Sequence, residues 1–233
     1  MEIRPRPKSF LFSPISVPIA LLCVCILAYG LLLPSMGFYW DDWPWIWIAH
    51  VKGSQSLLEV DRLHRPLSGL ILWLGSLLAG ENPLGWQLLT FSFRWLSGVT
   101  LWWFLRKIWP KRDERILWVV LLFLVYPGFT HQYVSVNTSR HILPLALFFL
   151  SLGMMIWAIR YKKRYGLLTL TSLFLGMITL LSTEYYYGLE LLRPIFIWLV
   201  LDTQDKDFKG RFKQAIKHWL PYAVIFVLSL IHI

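Results

Sequence analysis

Long apolar runs alternate with short polar segments along this chain. The runs cover roughly 15–34, 66–80, 84–105, 116–130, 141–159, 166–182, 185–201 and 219–233. Most are long and nearly free of charge, as a membrane-crossing helix of about 20 residues requires. The pattern predicts an all-α, polytopic membrane protein with a single transmembrane domain over 1–233. The run at 66–80 is the ambiguous one. As a helix at about 1.5 Å per residue it reaches roughly 22 Å, short of a hydrocarbon core of about 30 Å. It also contains Gly69, Gly75 and Gly80.

Charge decides where 66–80 belongs. If it lies along the surface, four segments share one side. They are the N-terminus (Arg4, Arg6, Lys8), 106–115, 160–164 and 202–217, which together hold most of the 23 basic residues. If 66–80 crosses, three of those four segments move to the opposite side. Cytoplasmic loops carry the excess of Lys and Arg, so the first arrangement is expected. It gives seven spanning helices: 15–34, 84–105, 116–130, 141–159, 166–182, 185–201 and 219–233. Residues 1–14 form a cytoplasmic tail, and 35–83 an outer loop with one or two interfacial helices. The localisation expected is the plasma membrane. The first run has no small-residue cleavage site after it and reads as a retained anchor. The last run meets no polar flank before Ile233, which predicts that the chain is an N-terminal fragment.

Composition agrees with the pattern. Hydrophobic residues make up 57% of the chain and the mean hydropathy is +0.55, above the roughly 45–50% apolar content of soluble domains. The net charge of +10 lies mostly in short inner loops that face anionic lipid, so no nucleic-acid partner is expected. Cys23 and Cys25 sit two apart inside the first run and point to different sides, which argues against a disulfide. No Walker loop, GxGxxG, HExxH or zinc-type spacing is present, so no nucleotide or haem site is expected.

The expected outer side gathers the unlike charges. Its most informative stretch is Gly37-Phe38-Tyr39-Trp40-Asp41-Asp42-Trp43-Pro44-Trp45-Ile46-Trp47. Asp41 and Asp42 sit among aromatic rings just after the first run. An outward carboxylate near a membrane can take a proton from an acceptor hydroxyl, and a second beside it raises the pKa of one of the pair. Asp before Trp-Pro-Trp is also a helix start signal, so one of the two can cap a helix at 43–52 and leave the other free. Trp40 and Trp43 suit either the headgroup zone or stacking on a sugar or polyprenyl chain. His64-Arg65-Pro66-Leu67-Ser68 opens the short helix and places Arg65 near a helix N-terminus, where anions are favoured; the same Arg could instead reach lipid phosphates. Asn137, Arg140 and His141 precede the helix at 141–159, and Glu184 precedes that at 185–201; these could converge on the first loop. Glu190 and Arg193, three apart within an apolar run, are expected to pair with each other.

The acidic pair after the first helix, followed by "HRPLSGLILWLGSLLAGENPLGWQLL", resembles the GT-C superfamily of membrane glycosyltransferases. Its members include protein O-mannosyltransferases and the aminoarabinose transferases of lipid A. The matching features are Asp41/Asp42, Arg65-Pro66-Leu67 and Gly80-Glu81-Asn82-Pro83. Ser182-Thr183-Glu184 resembles a Lys-Glu segment, with Thr183 in place of Lys. Tyr126-Pro127 resembles a His-Pro turn, with Tyr in place of His. The resemblance runs through about residues 15–201.

The resemblance implies a GT-C-like fold and an inverting transfer of sugar from a polyprenyl-phosphate donor to an acceptor hydroxyl of a glycan, lipid or protein. Asp41 or Asp42 would be the general base. Arg65, and with it Arg140, would contact the phosphate, and Glu184 would orient donor or acceptor. His64, Trp40 and Trp43 complete the expected substrate contacts. No cofactor is implied for lipid-phosphate donors, whereas lipid-pyrophosphate users of the superfamily need a divalent metal. Two other functions stay open: a transporter or flippase of lipid-linked sugars, and a non-catalytic membrane scaffold. Polar groups gathered at the rim rather than at mid-membrane favour the enzyme over the transporter.

Overall fold

The computed structural model describes residues 13–126, 131–201 and 207–232. Every regular element among them is helical. The helices are α1 (Ser16–Ala28), α2 (Asp42–Lys52), α3 (Ser68–Ala79), α4 (Pro83–Ile108), α5 (Asp113–Leu124), α6 (Ser135–Arg160), α7 (Tyr165–Ser182), α8 (Tyr187–Glu190), α9 (Arg193–Val200) and α10 (Phe208–His232). Three segments among the described residues are long and apolar enough to cross a membrane: Ser135–Arg160, Lys162–Ser182 and Phe208–Ile231. The chain is therefore all-α and has the helices of a membrane protein.

The 26-residue helices α4 and α6 form the axis of the molecule. They run in the same direction. Thr90 Oγ1 donates to the Ser135 carbonyl at one end, and Arg160 reaches the Ile108 carbonyl at the other. Helix α7 returns antiparallel along α6, where Ser151 and Ser172 exchange hydroxyl-to-carbonyl hydrogen bonds of 2.7 Å. Gly153 makes one close approach possible: a β-carbon there would overlap the Trp103 ring, so the bulky α4 side chain lies directly on the α6 backbone. The shared core gathers Leu101, Phe104, Phe148, Leu152 and Ile156 with residues of α1, α5 and α9. A second cluster of Ile46, Leu57, Leu72, Trp86 and Val136 fastens the first loop to the N-terminal ends of α4 and α6.

Several helices differ from the sequence expectation. The run at 15–34 is helical only to Ala28 and then tightens into a 3-10 turn over Gly30–Ser35 that includes Pro34, whose ring excludes a continuing α-helix. Helix α5 stops at Leu124, well short of 130; the Tyr126-Pro127 turn falls partly outside the described residues, as do much of the N-terminal tail and 202–206. The expected helix at 141–159 begins six residues earlier, at Ser135. Asn137, Arg140 and His141 therefore lie in its first turns, not before it. The run at 185–201 is not one helix. It is a 3-10 turn (Glu184–Tyr186), the short α8 and then α9, which restarts with Pro194 in its first turn. Helix α10 starts at Phe208, so the basic stretch before 219 is itself helical. The two helices of the first loop have the expected extents: α2 matches 43–52 closely, and α3 is a 12-residue helix inside 66–80.

The two ends of the bundle differ in chemistry. Arg106, Lys107, Arg160 and Lys162–Arg164 gather where α4 and α6 end and α7 begins. Arg106 pairs with Asp113 at 2.7 Å across the turn to α5, and Lys107 sits over Trp103 and Trp157. Among the described residues, the opposite end carries α2, α3 and most of the acidic and imidazole groups.

Candidate functional site

Asp41 and Asp42 have separate fates. Asp42 is the first residue of α2 and is fully buried. Its Oδ1 accepts from the Asn137 backbone N–H at 3.0 Å and its Oδ2 from the Tyr39 N–H at 3.3 Å. The amides of Ser135 and Val136 add to the same cradle. Asp42 thus caps the N-terminus of α6 from another helix, where unpaired N–H groups and the helix dipole favour a carboxylate. Burial outweighs those amides and pushes its pKa up to about 6. Asp41 stands at the N-cap position of α2, makes no side-chain capping bond and is exposed. The expectation that one Asp caps helix 43–52 is corrected: the capping carboxylate is Asp42, and the helix it caps is α6. The preceding Trp40 has a left-handed backbone (φ 43°). Its exposed ring packs edge-on against Tyr133 at 5.6 Å. Trp43, also exposed, leans on Phe38 at 5.8 Å.

Asn137 links this cap to a charged cluster. Its side-chain oxygen accepts from Arg140 Nε at 3.0 Å. Arg140 in turn donates to Asp61 Oδ2 at 2.6 Å and to Ser68 Oγ at 3.3 Å, and lies over the Trp45 ring. Asp61 holds a left-handed backbone (φ 54°). Its carbonyl accepts from the amides of His64 and Arg65, and its carboxylate lies 3.9 Å from the Arg65 guanidinium. Arg65 makes a two-pronged pair with Glu184, with Nε–Oε2 at 2.7 Å. The Arg65 bond holds the Glu184 carboxyl below the usual glutamate range, and Glu184 in return raises the Arg65 pKa. Tyr185 lies under Arg65 and stacks on His141 at 4.5 Å; His141 Nδ1 is 3.3 Å from Thr183 Oγ1.

The first loop, the start of α6 and the α7–α8 connection thus meet at one end of the bundle. A continuous path runs Asp42–Asn137–Arg140–Asp61–Arg65–Glu184. Arg65, Arg140 and Glu184 are brought together, and Asp41 flanks the path through its neighbour. His64 joins the group differently: it lines, with Glu59, Asp61, Arg62 and Leu63, an open cleft of about 460 Å3. Arg65 is not a bare cation at a helix start; both prongs of its guanidinium are on Glu184. Sequence reasoning gave Asp61 no role. The signal was its spacing of four from Arg65, yet the partner that fixes it, Arg140, is 79 residues away.

Glu190 and Arg193 form the expected pair, wholly inside the bundle. Arg193 also donates to Ser151 at 3.0 Å and lies between the Phe148 and Tyr222 rings. It ties α6, α9 and α10 together and is separate from the site at the bundle end. Among the described residues, no group of three or more His, Cys, Asp or Glu side chains is placed to hold a metal ion. Compared with known proteins, the chain matches no family model, no curated protein and no solved structure.

Proposed function

We propose that this protein is a membrane glycosyltransferase that moves a sugar from a polyprenyl-phosphate donor to an acceptor hydroxyl, with Asp41 as the general base. One observation carries the reading. Of two adjacent carboxylates, one is consumed as a cap and the other, Asp41, is left exposed between Trp40 and Trp43, beside a network holding two arginines. A carboxylate without a structural task, next to aromatic faces and cationic groups, suits removal of a proton from a sugar-accepting hydroxyl. The acceptor oxygen would bond to the anomeric carbon as the bond from that carbon to the phosphate oxygen breaks. The proton would pass to Asp41 and the electron pair leave with polyprenyl phosphate. Arg65 and Arg140 would stabilise the departing phosphate, Arg65 after exchanging part of its bond to Glu184. The cleft beside His64 and Asp61 offers room for the acceptor.

The topology belongs to the same proposal. Seven crossings from a cytoplasmic N-terminus in the plasma membrane would put the basic end inside and the Asp41 end outside. The common direction of α4 and α6, and the opposite direction of α7, fit that count. Helix α3 packs with the first loop through Leu72, Leu57 and Trp86, which fits an interfacial position.

The test uses membranes containing the full-length chain, supplied with radiolabelled polyprenyl-phosphate sugars. Wild type should release label from the lipid. Asp41→Asn should lose at least a hundredfold in rate while its thermal unfolding is unchanged. Label that stays on the lipid with wild type for every donor tried would end the transferase reading in favour of a transporter or scaffold. Full turnover in Asp41→Asn would remove the base.

A further inference from the structure

Of the three segments long and apolar enough to cross a membrane, Phe208–Ile231 is the least buried. One side of α10 is committed. Arg211 donates to the Trp198 carbonyl and lies over the Trp198 ring, and Ala215 and Tyr222 are buried. Tyr165 Oη lies 2.9 Å from His218 Nδ1, which sets the start of α7 against α10 at His218. The segment from His218 back to Phe208 projects past that start, by roughly 15 Å at 1.5 Å per residue.

The uncovered side of α10 carries two columns. Phe208, Phe212, Ile216 and Leu220 are exposed, and so are Lys209, Lys213 and Lys217 beside them. Residues four apart lie one above another on a helix, so each set forms a stripe. The apolar stripe continues alone through the exposed Val224, Val227, Leu228 and Ile231. A second group of cations stands close by. Lys162, Lys163 and Arg164, all exposed, form the 3-10 turn directly before Tyr165, and Lys217 directly precedes His218. The Tyr165–His218 contact therefore draws the two basic groups together. Among the described residues, none of Lys162, Lys163, Arg164, Lys213 and Lys217 takes part in an ion pair. Asp207, the acid at the start of α10, is turned to the helix itself and accepts from the Gly210 N–H at 2.9 Å.

Exposed like charges repel one another, and an anion placed among them turns that repulsion into attraction. An acidic peptide or a nucleic acid would satisfy the lysines but would leave the apolar stripe uncovered. A zwitterionic lipid would cover the stripe but bring its own cation to the lysines. A lipid of net negative charge satisfies both. We infer that α10 and the turn before α7 bind one anionic phospholipid of the leaflet at the basic end. Its phosphate would lie between Lys213, Lys217 and the 162–164 turn, with an acyl chain along Leu220, Val224 and Leu228. This site shares no residue with the Asp41 cluster and does not depend on the transferase reading.

The test places the full-length chain in phosphatidylcholine nanodiscs with a trace of diazirine-bearing phosphatidylglycerol. Labelling is competed with phosphatidylglycerol, with phosphatidylethanolamine and with water-soluble glycerol phosphate. Label should concentrate in 162–168 and 212–228, and only phosphatidylglycerol should displace it. Lys213→Gln combined with Lys217→Gln should weaken phosphatidylglycerol roughly thirtyfold at low salt. Lys111→Gln combined with Arg112→Gln removes the same charge from exposed positions in the turn between α4 and α5, and should change the affinity by less than about threefold. Both double variants should keep the wild-type Tm in phosphatidylcholine alone, which separates lost binding from lost folding. Equal weakening in the two double variants would mean a diffuse positive field and overturn the site. Label spread evenly over the helices, or displacement by phosphatidylethanolamine as strong as by phosphatidylglycerol, would overturn it as well. Displacement by glycerol phosphate as strong as by the lipid would make this a free-phosphate site and remove the lipid.

Discussion

Asp42 turns acid into a stabilising condition for this protein. The carboxyl is buried against the first amides of α6, and its pKa stands at about 6 against an ordinary 3.8. Between those values the folded chain holds a proton that the unfolded chain has released. The folded pKa is the higher one, so the contribution to stability is fully present below about pH 4 and is lost as pH rises through 6. A rise from 3.8 to about 6, at about 1.4 kcal/mol per tenfold change in proton affinity, amounts to roughly 3 kcal/mol. For a chain of this size that is about 6–12 °C in Tm. The assay is thermal unfolding in nanodiscs from pH 4 to pH 8, for wild type and Asp42→Asn. Asn cannot titrate, so the difference between the two curves isolates this one group from every other carboxylate. Wild type should lose about 3 kcal/mol relative to Asp42→Asn across the window, with the steepest change between pH 4 and 6. A flat difference would refute burial as the dominant cause. A difference that grows in favour of wild type as pH rises would mean that the α6 amides and dipole hold the carboxylate ionised.

Three further outcomes follow from the packing. Glu184→Gln should cost about 1 kcal/mol, since the Arg65–Glu184 pair is partly solvated; because the Glu184 pKa is lowered in the folded chain, its contribution exists above about pH 4.5 and fades as pH falls through the lowered value, and pH-dependent unfolding of the variant should lack that acid limb. Arg193→Met should cost about 3–5 kcal/mol by stranding the buried Glu190, whereas Arg193→Met combined with Glu190→Met should recover most of it in a denaturation double-mutant cycle. Gly153→Ala should destabilise by about 1–3 kcal/mol, because the Trp103 ring has to leave its place on α6; an unchanged unfolding midpoint would mean that the α4–α6 contact gives way without cost.

How legible the molecule was in its sequence varies by the range of the interaction involved. Periodicity and length found the helices α2, α3, α4 and α7, because each is set by local apolar pattern, reinforced in α4 by the local start signal Asn82-Pro83. The broken stretch 185–201 was missed. Hydropathy averages over Gly188 and Pro194 and cannot register that a buried Glu190–Arg193 pair pins the chain at the break. The early start of α6 was missed for a related reason. Ser135, Thr138 and Arg140 look like loop residues in one dimension. They are helical because Thr90 and Asp42 satisfy the backbone groups of that first turn from 45 and 95 residues away. The convergence of the first loop with Arg140 and Glu184 was anticipated from charge placement, but Asp61, its central carboxylate, was not, because nothing in its neighbourhood announces a partner on α6.

The acidic pair argues for a division of labour that neither residue could carry alone. A carboxylate that caps α6 must stay fixed, since moving it releases several helix amides into a dry interior. A carboxylate that accepts a proton from a substrate must be open to that substrate. In the proposed transferase, placing both tasks on adjacent residues would solve the positioning problem: the buried Asp42 locks the backbone at the start of α2, from which the exposed Asp41 emerges. Asp41 is thereby held relative to Asn137 and Arg140 by a single hydrogen-bonded link, although it touches neither. The same logic predicts unequal consequences of charge removal. Asp42→Asn should change the pH dependence of stability and leave some activity, because the scaffold survives with a neutral cap. Asp41→Asn should leave stability untouched and remove activity. Measured side by side on the same membranes, identical behaviour of the two variants in both assays would show that the pair acts as one group, and the assignment of separate roles would have to be withdrawn.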